Sequence, residues 1–537
     1  MVALPPDPDT PPADRSAVPL TLRGQLEHQS VVRPDAPFLV TDDAVITWGD
    51  MHRRARAAAS GLRDLGVRAG DNVVLGLDNG VEFVEVWFGL ALLGAVEVPI
   101  NPQLVGDRLA HIVGHAQARI AVVTAELALR LDALRSDTVR LERLVVHDPD
   151  PSATLGLPVV DLRRLPGDEA VLVPADMTER DLAAILYTSG STGAPKGVML
   201  PYGQHCSNGR QAEAAGDITA ADRLFLCLPL HHNMAQGYAV WPALLTGASI
   251  RLVDRFRRDR FWAQVRESEA TVWPFVGSLL ALLLGQPESA DDAVNPIRVA
   301  YGVPIPASVH RRFEARFDVR LVHGYGSTEA TIPVWSDPGS PPGAAGRVVD
   351  GYDVSVQDDC GRPVPVDEIG EIAVRARQPF TMFAGYFNDP VRTAQAWRDG
   401  WFLTGDRGSF DADGRLWFRG RAGDAIRRFG EFIDAEEVEN AALAHPAVVD
   451  AACFAVDDDV AGQEAALSVV VRADITTAEI HQHIRGRLPG YAVPRFIEIA
   501  ESLPKTATGK VQRFALREQG VRITMDDFLT HERQKAQ

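Results

Sequence analysis

The feature that most limits the fold is a rhythm in the apolar residues. Residues 48–65 carry them at three- and four-residue spacing and read as a helix, as do residues 80–93. Residues 72–77, 119–123 and 143–147 are short apolar runs of strand type. Strand and helix alternate in this way from residue 20 to about residue 180, which argues for an α/β architecture around mostly parallel sheet. The rhythm continues through 222–228, 249–253 and 271–273. From about residue 340 the texture changes, and 346–357, 371–376 and 416–419 are short strands joined by glycine-containing turns, a β-rich module. The last part alternates again, with helices over 436–444 and 476–488.

A chain of 537 residues corresponds to about two to four domains. The expected fold class is α/β: a large multi-subdomain N-terminal domain, two α/β sheets plus a β-rich module, over 19–420, and a small α+β C-terminal domain over 421–537. Residues 1–18, acidic and proline-rich, are expected to be a disordered tail. They have neither a basic start nor an apolar core of signal-peptide type. The longest apolar stretch, 86–100, is interrupted by glycine and by Glu97, so no membrane span is expected. The net charge of −18 argues against nucleic acid or an anionic membrane as a partner. Cys206, Cys227, Cys360 and Cys453 are too scattered for a disulfide framework or a zinc site, which fits a cytoplasmic protein.

The densest chemical signal is Tyr187-Thr-Ser-Gly-Ser-Thr-Gly-Ala-Pro-Lys-Gly197. Glycines let backbone N–H groups turn toward an anion, hydroxyls donate further hydrogen bonds, and Lys196 supplies a point charge. Pro195 precedes the lysine, no Ser or Thr follows it, and the chain runs on as an apolar extended segment to Pro201. The loop is therefore expected between two strands, unlike a Walker loop, which rests on a helix.

This segment resembles the phosphate loop of the adenylate-forming superfamily: acyl-CoA synthetases, nonribosomal-peptide adenylation domains and beetle luciferases. Four later segments resemble that family in order: His323-Gly-Tyr-Gly-Ser-Thr-Glu-Ala330, Trp401-Phe-Leu-Thr-Gly-Asp-Arg407, Gly420-Arg-Ala-Gly-Asp-Ala-Ile-Arg-Arg-Phe-Gly430 with the acids of 436–439, and Pro504-Lys-Thr-Ala-Thr-Gly-Lys510. Within that family it resembles bacterial carnitine/crotonobetaine-CoA ligases. The resemblance implies an AMP-forming reaction in which a carboxylate attacks the α-phosphate of ATP, an acyl-adenylate forms, and the acyl group passes to CoA. It also implies a C-terminal domain that is mobile and rotates between the two half-reactions.

The roles it implies fall on definite residues. Thr188, Ser189, Gly190, Ser191, Thr192, Gly193 and Lys196 hold phosphates. Tyr325 stacks on adenine, with Gly302 nearby. Thr328 donates to the α-phosphate. Glu329 holds Mg²⁺, a hard cation that takes few protein oxygens. Asp406, an acceptor-only carboxylate, binds the ribose hydroxyls, and Arg421 reaches ribose or phosphate. Lys510 bridges carboxylate and α-phosphate. His232 gates the acyl pocket. Beside it His231 invites a metal reading, but adjacent residues on a strand point to opposite faces, so no shared ion is expected. Asn233, Met234, Gln236, Trp273, Phe275, Val276, Gly302, Val303, Gly326 and Thr331 are expected to wall that pocket. They form an apolar, aromatic set suited to a medium-sized or aryl acid. No acid stands in the 233–237 stretch after His232, which weighs against the amino-acid-activating relatives.

Two departures concern the acceptor step. Gly423 stands where relatives usually carry the hinge Asp or Lys, and Phe429 stands where many have Gly, Ser or a basic residue beside the pantetheine tunnel. They motivate an alternative reading, an adenylate-forming enzyme that dispenses with CoA. Such an enzyme would activate nitrite to diazotise an aryl amine, or acylate an amine or a carrier protein. Homodimers are common among such relatives.

Overall fold

The computed structural model describes residues 20–134, 140–165, 167–168, 173–188, 195–303, 305, 307–421, 426–428, 431–433, 435–458, 462–488, 490–505 and 511–528. The tail 1–18, the loop residues Ser189, Gly190, Ser191, Thr192 and Gly193, and Gly423, Phe429 and Lys510 lie outside the described residues.

The chain is α/β. The larger part holds two mixed sheets. The eight-stranded sheet has a parallel centre, Asn72–Gly76, Val96–Pro99, Ile120–Thr124, Arg143–His147 and Leu182–Thr188, and turns antiparallel at Lys196–Pro201 and Gly385–Tyr386. The nine-stranded sheet is parallel through Arg223–Leu226, Ser249–Leu252, Val272–Val276, Val299–Val303 and Arg320–Ser327, then returns antiparallel through Thr331–Trp335 and Arg347–Val348. A five-stranded half-barrel, including Tyr352–Gln357, Gly370–Ala376, Trp401–Phe410 and Leu416–Arg421, completes this part. The run read as one strand over 346–357 is two. Gly351, at φ 92°, breaks it, so Arg347–Val348 joins the nine-stranded sheet and Tyr352–Gln357 the half-barrel.

Helices fill the space beside and between the sheets. Trp48–Asp64 starts at a capping box in which Thr47 and Asp50 satisfy each other's backbone N–H groups. Val81–Leu93 is apolar nearly all round, as a helix buried on every side must be. Tyr202–Gly216 touches strands of both large sheets. The face that carries Gln204, Asn208 and Gln211 is therefore buried.

Residues 426–528 have their own core, built from Ile426, Val438, Leu467, Ile480 and Ile497 around a six-stranded sheet. Helices Ala435–Leu443 and Thr477–Arg485 cover it, the second starting at a Thr476/Glu479 capping box. Ala435–Leu443 also meets strand Leu416–Arg421 and helix Ala307–Phe317 of the larger part. The expected boundary after residue 420 falls at the end of strand Leu416–Arg421. No helix among the described residues is long and apolar enough to cross a membrane.

Candidate functional site

The phosphate-loop segment does span two strands. Leu182–Thr188 and Lys196–Pro201 pair antiparallel, with Thr188 opposite Lys196. Both stems of the loop are held from one helix, Gly106–Ala116. His111 Nε2 lies 2.9 Å from the Pro195 carbonyl, and His115 Nδ1 lies 2.7 Å from the Tyr187 hydroxyl. Burial lowers the His115 pKa, and His111 beside it adds to the effect. The sequence reading missed these two histidines. Their four-residue spacing on one helix face is the signal that was there to find.

Lys196 projects from the second stem to a carboxylate. Its Nζ is 3.2 Å from Glu329 Oε1 and donates to the Tyr386 hydroxyl at 2.9 Å. Tyr386 in turn donates to Glu329 Oε1 at 3.0 Å. Glu329 is 7% exposed, so this charge is largely removed from water and kept by paired partners. Tyr386 is another residue the sequence reading did not select. Thr328, just before Glu329, is half-buried, and its carbonyl accepts from Gln204 Nε2 at 2.7 Å.

The other end of the same segment meets the half-barrel. Tyr325 donates its hydroxyl to Asp406 Oδ2 at 2.8 Å and stacks on Phe418 with centroids 5.7 Å apart. The backbone of Arg421 lies directly opposite Asp406. Gly326 is glycine because the returning strand passes too close for a side chain: a Cβ there would sit 1.9 Å from the Thr331 carbonyl. Gly302 is constrained likewise by the Phe275 carbonyl, at 2.1 Å. One stretch, 325–329, thus joins Asp406 at one end to Lys196 at the other.

Beyond Glu329 the surroundings lose charge. His231 and His232 lie on a turn, not a strand, and their rings face each other with centroids 4.3 Å apart. The expectation that they point to opposite faces is corrected, because the turn at 230–232 cancels the alternation of a strand. Among the described residues no group of three or more His, Cys, Asp or Glu could hold a metal ion. Burial lowers the His232 pKa to about 4 and that of His231 well below its ordinary value, so both rings are neutral.

His232 precedes a short helical turn, Asn233–Ala235, and a wider π turn, Gln236–Val240. Gln236 is fully buried and donates to Glu97 Oε2 at 3.2 Å. Glu97 is 1% exposed, and burial pushes its carboxyl well above the carboxylate range. Met234 and Val276 are partly buried, and Val303 packs against the same core. Trp273 and Phe275 are fully buried, and the Trp273 ring packs among Phe261, Phe275 and Phe313.

In the smaller part, the residues that flank 506–510 pair with each other. Lys505 and Val511 form an antiparallel bridge, and Gln512 N donates to the Pro504 carbonyl at 2.8 Å.

Residues 26–387 match the family model of the AMP-binding enzymes, and residues 437–510 match that of the AMP-binding enzyme C-terminal domain. The chain is an AMP-binding enzyme. It is 30% identical over 473 residues to the crotonobetaine/carnitine–CoA ligase of Salmonella paratyphi B, covering 87% of this chain and 92% of that protein. Among solved structures it is similar to the anthranilate CoA ligase AuaEII in complex with anthranoyl-AMP, at a TM-score of 0.85, 27% identity, and 94% and 98% coverage. It is also similar to a benzoate CoA ligase from Burkholderia xenovorans LB400, at a TM-score of 0.82, 26% identity, and 93% and 99% coverage. These likenesses place this AMP-binding enzyme among the AMP-forming acid–thiol ligases.

Proposed function

We propose that this AMP-binding enzyme activates a medium-sized or aryl carboxylic acid with ATP and passes the acyl group to CoA. The observation that carries the reading is the 325–329 stretch, with Asp406 bonded at one end and Lys196 at the other. That arrangement suits a nucleoside triphosphate lying along one strand end, ribose toward Asp406 and phosphates toward Lys196. The named relatives act on carnitine-type, anthranilate and benzoate acids, which supports an acid of this size.

A carboxylate oxygen attacks the α-phosphorus, the bond to the β-phosphate oxygen breaks, and pyrophosphate leaves. The CoA thiol then attacks the acyl carbon, loses its proton, and displaces AMP. The first step needs two anions brought together in line, so positioning and charge neutralisation supply the rate. In this reading Lys196 and the loop 188–193 hold the outer phosphates. Thr328 donates to the α-phosphate, Tyr325 stacks on adenine, and Asp406 with Arg421 takes the ribose. Lys510 spans carboxylate and α-phosphate.

Glu329 fits Mg²⁺, since a single buried carboxylate already paired with a cation suits an ion that takes most of its ligands from phosphate and water. When bound there, the ion neutralises phosphate charge. His232 stays neutral at the acid end, where it orients the carboxylate without pairing with it as a cation.

The test is pyrophosphate release across a panel of aliphatic and aryl acids and nitrite, with products read by mass spectrometry with and without CoA. An acyl-CoA product from one class of acid is expected. Pyrophosphate release with nitrite alone, or acid turnover with no thioester, overturns the reading in favour of a CoA-independent enzyme.

A further inference from the structure

Helix Tyr202–Gly216 carries a buried polar face that the proposed chemistry does not use. Asn208 and Gln211 stand three residues apart on it and bond toward Asn233 and Thr331, two residues expected to wall the acid pocket. Gln211 Nε2 donates to Thr331 Oγ1 at 3.1 Å. Thr331 is fully buried and has a φ of 63°, the left-handed region that a β-branched residue rarely enters. Such a conformation persists only where its surroundings fix it. The Tyr238 phenol lies against the Thr331 hydroxyl and donates to Asn208 Oδ1 at 3.1 Å. Asn208 Nδ2 then donates to Asn233 Oδ1 at 3.2 Å. The buried side chains of Tyr238 and Asn208 therefore link Thr331, two residues after Glu329, to Asn233, the residue after His232.

We propose that Gln211 and Asn208 are positioning residues that hold the Thr331 and Asn233 walls of the acid pocket at a fixed separation, and so set which acid fits. This rests on the adenylation reading above. The hydrogen bonds run donor to acceptor in one direction along most of the chain, which strengthens each link in a low-dielectric interior. Gln211 acts by holding Thr331 in its unfavourable backbone conformation. Asn208 acts by tying the His232 turn to the same frame.

The experiment is a double-mutant cycle on the full chain. Gln211→Leu should lower kcat/KM for the preferred acid by about tenfold or more, chiefly through the acid KM, with the ATP KM unchanged within about twofold. Thr331→Gly removes the backbone cost, since glycine enters that region freely. On that background Gln211→Leu should cost less than about twofold. Equal losses on both backgrounds, or a loss falling on the ATP KM, overturn the proposal. Asn208→Leu with Asn233→Ala forms the matching cycle, and Gln211→Met replaces Gln211→Leu if the latter does not fold. The same cycles read in Tm need no substrate. Should no acid release pyrophosphate with the wild-type chain, the adenylation reading fails by itself. Non-additive Tm shifts then still support the holding role, and additive ones overturn it.

Discussion

The two ends of the proposed cleft are built in opposite ways. At the nucleotide end the side chains are charged and paired: Lys196 with Glu329 and Tyr386, Asp406 with Tyr325. They come from strand ends that meet at one place. At the acid end the groups are neutral. Burial lowers the pKa of His231 and His232 and raises that of Glu97, which favours the neutral form of each, and the rest are amides, hydroxyls and apolar chains. The difference teaches how one site can serve two anions. The polyanion is met with fixed charge. In the proposed reading the acid meets a neutral surround that leaves its single negative charge to the phosphate side, where the reaction needs it.

The largest expected effect sharpens that division. Lys510→Ala should reduce pyrophosphate release by about a hundredfold to a thousandfold, because in the proposed mechanism it removes the cation that spans carboxylate and α-phosphate. A wild-type rate in that variant would leave the nucleotide end sufficient alone. Asp406→Asn should follow, raising the ATP KM by about tenfold through a weakened charge-assisted bond, with the acid KM unmoved. Equal movement of both constants would break the separation between the ends.

The Glu97 carboxyl gives a smaller, pH-dependent effect. Its pKa is raised on folding, so the neutral form's contribution to stability is full below the ordinary glutamate range and is lost as pH rises through the raised value. Wild-type Tm should therefore fall toward alkaline pH relative to Glu97→Gln, and the two should converge in acid. Parallel Tm–pH curves would mean that Glu97 is ionised and the acid end is not neutral. The smallest effect lies outside both ends. Arg375 pairs with Asp353 on the half-barrel surface at 2.8 Å while 46% exposed. Arg375→Ala should shift Tm by less than about 1 °C and leave the kinetics unchanged.

The same contrast explains what the sequence disclosed. The nucleotide end was legible because it consists of contiguous segments, and each of Lys196, Tyr325, Glu329 and Asp406 stands in a run whose neighbours carry part of the signal. The alternation of strand and helix was legible for the same reason. The acid end was not. Gln204, Asn208 and Gln211 repeat at helical spacing, and a polar helical face reads as a solvated one unless it is known that two sheets close over it. Glu97 read as an interruption of an apolar run. His111 and His115 are distant in sequence from the loop they hold.

Lys196 and Glu329 already cancel each other's charge in the structure. A triphosphate that draws the ammonium to itself leaves the carboxylate uncompensated in a site largely closed to water. Loading is thus an exchange of partners, and nucleotide supplied without a divalent ion should be admitted poorly. The protein would then sense the metal complex of its nucleotide, and tell it from the bare anion, before any acid has entered.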